Sequence, residues 1–119
     1  MRQNGYRVMA LALMLLGLTG CSSVLPDQLQ GKLDANGSAD DHMVAAMLYQ
    51  NEAKRLDAEA DRYEQRLASI GASADPKGFH RESLRIAAEE SRRAAEQMQT
   101  LYASHFERAQ TMYGMKQPE

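Results

Sequence analysis

One cysteine, three histidines and eight methionines are the residues of this 119-residue chain best suited to holding a metal or a covalent group. Cys21 stands alone, so no disulfide framework can form within the chain and the thiol needs another use. His42 and His105 matter most among the histidines. With Met43, Met47, Met112 and Met115 they offer the imidazole and thioether donors that copper takes; with Asp40 and Asp41 they offer a set suited to zinc or nickel. No H-E-x-x-H motif and no histidine pair at i, i+4 accompanies them. The plainer reading is that methionines at helical spacing fill a core. His80, next to Phe79, reads as structural.

Catalysis has less to work with. There is no Gly-rich phosphate loop and no G-x-S-x-G turn, and long paired helices offer no concave pocket that excludes water. The carboxylates alternate with arginines: Glu89 with Arg93 and Arg92 with Glu96 are i, i+4 pairs that read as a solvated face. No enzyme is expected. A formal net charge of −2 gives no footprint for nucleic acid.

The use of Cys21 becomes clear from what precedes it. Arg2 and Arg7 lead into an uncharged apolar run from Val8 to Leu18, too short to span a bilayer at about 20 residues but of the form of a signal peptide. Leu18-Thr19-Gly20-Cys21 closes the run and resembles the lipobox of bacterial lipoproteins at all four positions. The resemblance covers residues 1–21 only. It implies cleavage between Gly20 and Cys21, a diacylglycerol on the Cys21 sulfur and acylation of the new amino group. Two or three chains make a stable anchor without a transmembrane helix. It also implies that Ser22 and Ser23, in place of Asp, direct the protein to the periplasmic face of the outer membrane. No cofactor beyond the covalent lipid is expected, and the membrane is the first partner.

Removing residues 1–20 takes Arg2 and Arg7 from the 14 basic residues, leaving 12 against 16 acidic and a net charge of −4 on the remaining 99 residues. Residues 21–37 then read as a lipidated cysteine and flexible tether interrupted by Pro26, Gly31 and Gly37, with an r.m.s. span of roughly 20–25 Å. Leu25, Leu29 and Leu33 at i, i+4, i+8 leave open a short helical turn.

Residues 38–114 carry the fold. Ser38-Ala39-Asp40-Asp41 is a capping signal, and from His42 the positions 46, 49, 53, 56, 60, 63, 67 and 70 keep an unbroken 4-3 spacing of apolar or small residues. The pattern predicts a first helix over about 39–70, ended by Gly71. Asp75-Pro76 supplies a cap and first residue for a second helix over about 76–113, with a seam at His80, Leu84, Ala87, Ser91, Ala94, Met98, Leu101 and His105. Residues 115–119 form a tail. A short connection between long amphipathic helices implies an all-α, antiparallel two-helix hairpin, coiled-coil-like with an Ala-rich seam. His42 and Glu52 are matched by His80 and Glu90, which suggests a duplication with a period of 38 residues. In this hairpin His42 and His105 fall within a turn of the same level.

An alanine seam buries little, and the large side chains gather at the open end. Met43, Val44, Met47 and Leu48 lie there on the first helix; Tyr102, Phe106, Ala109 and Met112 lie there on the second. A further stripe, Ala88, Ala95, Tyr102 and Ala109, widens the second helix beyond what one partner covers. These residues are the expected interface, taken up by a second copy to make a four-helix bundle or by an envelope protein. The alternative is that the tether folds back over them with Val24, Leu25, Leu29 and Leu33. The function expected is a membrane-anchored structural or adaptor lipoprotein; the alternative is a periplasmic metal binder or sensor using His42 and His105.

Overall fold

A computed structural model describes residues 24–115, which form three helices and, among these residues, no strand. They are α1 (Asp27–Asp34), α2 (Ala39–Ser69) and α3 (Phe79–Met115). The expected signal peptide, the expected cleavage between Gly20 and Cys21, the expected lipidation of Cys21 and residues 116–119 all lie outside the described residues.

The start of α2 follows from its sequence. Ser38 accepts a hydrogen bond on Oγ from the Asp41 N–H at 3.1 Å, and its own N–H donates to Asp41 Oδ2 at 3.0 Å. Each residue thus satisfies a backbone donor that the first helical turn leaves without a partner. The other boundaries differ from expectation. Gly71 does not take a left-handed conformation; the helix ends on Ile70, whose N–H donates to the Leu67 carbonyl at 3.4 Å. Asp75 does cap α3, but from a distance: Gly78, at φ +72°, turns the chain first, and the Asp75 carboxylate then accepts from the N–H groups of His80 and Arg81. Pro76 therefore lies in the turn before the helix.

α2 and α3 pack closely along their length. Residues early in α2 meet residues late in α3: Tyr113 donates to Asp40, His42 meets His105, and further along Arg92 donates to Asp61 and Glu64. The buried positions explain how close the helices come. Ala39, Ala46, Ala53 and Ala60 repeat every seven residues on α2, and Leu84, Ala88, Ser91, Ala95 and Ala109 are buried on α3. Methyl groups at the contact let two helix axes approach to the low end of the usual 8–10 Å range, at about the cost of most of the apolar area a larger residue would bury. Leu25 and Leu84 are the only large aliphatic side chains buried among the described residues.

The expected face of the second helix is thereby corrected. Ala87 and Ala94 are only half-buried and Leu101 and His80 are exposed, whereas Ala88, Ala95 and Ala109 are buried. Leu84 and Ser91 of the expected seam are buried, and beside them the stripe through Ala88, Ala95 and Ala109, read as surplus apolar surface, takes the place expected of Ala87, Ala94 and Leu101. Ala109 accordingly belongs to the helix contact and not to an outward-facing interface. Environment also separates the two halves of the suggested duplication: His42 is buried and His80 exposed.

The segment read as a tether contains a two-turn helix. Leu25 is 2% exposed, and Leu29 and Leu33 are half-buried on the same side of α1. Eight residues are too few to hold a helix in water, so it is the packing of these leucines that sustains it. The chain leaves α1 through Asn36, at φ +65°, and Gly37, where an added Cβ would stand 3.1 Å from Leu33 Cα. Leu25 thus folds back against the helix pair, while Val44, Met47 and Phe106 of the surface it was expected to cover stay exposed.

If close approach rests on the alanines, Ala53→Leu should destabilise the chain by about 1–3 kcal/mol through overpacking. Ala58→Leu, on the exposed side of the same helix, should change stability little. Urea denaturation of both variants checks this; equal midpoints would contradict the tight seam.

Candidate functional site

At the end of the helix pair away from the 70–78 connection, the seam carries two imidazoles in place of methyl groups. His42 on α2 and His105 on α3 meet with their Nδ1 atoms 2.9 Å apart. Ring centroids lie 5.2 Å apart, close to the greatest separation that this N···N distance allows, so the rings meet nearly head-on. The bond fixes complementary tautomers, since one Nδ1 must carry a proton and the other must present its lone pair. Tyr49 stacks on His105 at 5.5 Å with an interplanar angle of 18°. His42 is 7% exposed and His105 half-buried.

A cavity of about 310 Å3 opens beside the pair. All three helices contribute to it: Leu25, Gln30, Leu33 and Asp34 from α1 and its approach, Tyr49 from α2, and Arg108 from α3. Loss of water around the rings is the first cause that lowers both histidine pKa values below the ordinary 6.5. For His42 the Arg108 guanidinium adds to this and Asp41 opposes it; for His105 the further causes are His42 and then Arg108. Among the described residues no buried side-chain polar atom lacks a partner.

The expected juxtaposition of His42 and His105 is therefore present, but its geometry is that of a hydrogen bond. The two nitrogens, 2.9 Å apart, point at each other and not at a common third position, as the ligands of one metal ion must. No group of three or more His, Cys, Asp or Glu residues suited to a metal occurs among the described residues. Of the neighbours proposed as further ligands, Asp41 is held by Ser38 and Asp40 by Tyr113, and Met47 and Met115 are exposed.

The expected interface residues divide. Val44, Met47 and Phe106 are 48%, 57% and 38% exposed, while Met43, Leu48, Tyr102 and Met112 are half-buried. Tyr102 and Phe106 lie one turn apart with ring centroids 5.6 Å from each other. The charged face also pairs differently from expectation. Arg92 reaches across to Asp61, Glu64 and, at 3.5 Å, Asp57 on α2, and Glu89 pairs with Arg85. Arg92 thus ties the two helices midway, although each exposed pair adds little stability.

α1 and its leucines are the elements of this site that the sequence reading did not place there. The i, i+4, i+8 leucines were the signal, outweighed by Pro26, Gly31 and Gly37. Compared with protein families, curated proteins and solved structures, the chain matches none.

The lowered histidine pKa values give a sign for the pH dependence. Between the unfolded value near 6.5 and the lower folded values, the unfolded chain binds more protons than the folded one. Stability is therefore complete above about pH 6.5 and falls as the pH drops below it. The thermal midpoint should be several degrees lower at mildly acid pH than at neutral pH, and His42→Gln with His105→Gln should reduce that difference. A midpoint equally sensitive to acid in the double variant would assign the effect to other groups.

Proposed function

We propose that this chain is a lipid-anchored protein of the bacterial envelope whose described part is an antiparallel helical hairpin that serves as an interaction module. The observation that carries the anchor is Leu18-Thr19-Gly20-Cys21 directly after a basic start and an apolar run. Ser22 and Ser23 after the cysteine favour delivery to the outer membrane, with the hairpin on its periplasmic side. No helix among the described residues is long and apolar enough to cross a membrane.

The module reading is supported by where the large apolar side chains lie. The seam is filled by alanine, yet Val44, Met47 and Phe106 are exposed near the open end, where one would expect a chain short of core to bury them. His42 and His105 set the level of the two helices, so Met43 and Met47 stand beside the level of Tyr102 and Phe106. A second copy laid against this end would bury them and form a four-helix bundle, giving the structural or adaptor role.

Two measurements test the reading. In a bacterium that processes lipoproteins, the chain should sediment with membranes and carry labelled fatty acid, and Cys21→Ala should lose the label and leave the pellet. Unlabelled wild-type protein would remove the anchor. The detergent-solubilised chain should sediment as a dimer, and Met47→Glu should shift it toward monomer without loss of helicity; a wild-type monomer would remove self-association.

A further inference from the structure

The cavity beside the histidine pair is lined by side chains of all three helices, although by backbone α1 packs against α2 alone among the described residues. The cavity has Leu25 and Leu33 on the α1 side, His42 and Tyr49 on α2, and His105 and Arg108 on α3. Leu25 is almost fully buried there, only four residues after Cys21. Whatever separates the imidazoles therefore disturbs the seat of the segment that joins residue 21 to the helix pair.

Protons are the agent that the geometry singles out. The closed pair accommodates one added proton, taken on the Nε2 of the donating ring while its Nδ1–H stays in the bond, with the Tyr49 ring face against His105 to favour the cation. It cannot accommodate two, because two N–H groups would then face each other head-on at 2.9 Å. The surroundings do not offset a second charge well. On α3, Arg108 repels it; on α1, Asp34 lines the cavity but accepts from Gln30 at 2.9 Å, and Lys32 faces Asp41; on α2, Asp41 is engaged with Ser38. Opened, both rings reach solvent and can each take a proton.

We propose that the His42–His105 pair is an acid-sensitive latch: double protonation parts the rings, unseats Leu25 and frees α1 from the helix pair. The consequence for the envelope rests on the anchor proposed above. With α1 seated, three residues lie between Cys21 and the buried Leu25. With α1 released, the seventeen residues from Cys21 to Gly37 become a chain of roughly 20–25 Å r.m.s. span. Acid then changes the reach of the helical module from the membrane.

Amide hydrogen exchange on the full mature chain in detergent, from about pH 7.5 to about pH 5, reads the latch once intrinsic exchange is corrected for pH. Protection in residues 28–34 should fall by up to about tenfold per pH unit below the ordinary histidine pKa for each extra proton taken up on opening. Protection around Ala53 and Ala60 should persist to lower pH. His42→Gln and His105→Gln should each flatten the dependence in α1. Imidazole NMR of the unaltered chain provides a readout that survives if a variant fails to fold: the two rings should titrate as a coupled unit. Unchanged α1 protection down to pH 5, independent titration of the two rings, or an undiminished response in both folded glutamine variants would overturn the proposal. The same exchange measured on Cys21→Ser tests the latch without lipid, so failure of the anchor and failure of the latch are distinguishable.

Discussion

The closeness of α2 and α3 is the constraint on which the other features depend. Helix axes that approach this tightly leave room at the contact for methyl groups and little else, which is why alanines recur every seven residues on α2 and why Ala88, Ala95 and Ala109 face them. Conformational entropy must be offset for each ordered residue, and alanine contributes little buried area toward that. Stability in such a structure has to come from its length, its caps and whatever can be gathered where the seam widens. The large side chains are gathered at one end, with α1 laid over part of it. Arg92, reaching Asp57, Asp61 and Glu64, joins the helices midway without demanding space between them.

Two imidazoles in a methyl-lined seam are a different kind of contact. They need more room than alanine, and their placement at the end of the seam, beside a cavity, provides it. Unlike an arginine and a carboxylate, they are chemically identical, so they complement one another only by taking opposite tautomers. That is available when both are neutral, a single charged ring can still donate to its neutral neighbour, and the bond is lost when both are charged. Arg108 and the loss of water around the rings bias them toward the neutral forms. A contact between identical titratable groups is therefore conditional on pH in a way that the alanine contacts are not.

Much of this was legible in the residues, and the exceptions have identifiable causes. The Ser38–Asp41 cap is local chemistry and reads directly. The α2 face reads directly too, because its apolar positions form one row, and the level of His42 against His105 follows from the register of two helices. On α3 two neighbouring rows, one through Ala87 and Ala94 and one through Ala88 and Ala95, are nearly equal in hydrophobicity. What separates them is fit against α2, which no single-helix pattern contains. Asp75 was readable as a cap, but the turn at Gly78 that sets where its carboxylate reaches was not. α1 depends on Leu25 finding a seat built from two other helices. Local breakers argue against such a helix, and only the tertiary contact reverses them.

The position of α1 gives the open end two competing uses. Apolar surface there is covered on one side by Leu25 and Leu33 of the same chain, while Val44, Met47 and Phe106 remain exposed. A helix of eight residues contributes few contacts, so its seating on α2 is the weaker of the two packing arrangements among the described residues and the first to respond to a change at the imidazoles. The alanine seam is insensitive to the same change, since nothing in it titrates. Local release of α1 can therefore occur while α2 and α3 stay together. Such a division, in which a rigid pair carries a loosely held segment, follows from placing a pair of buried imidazoles beside the point where the third helix sits.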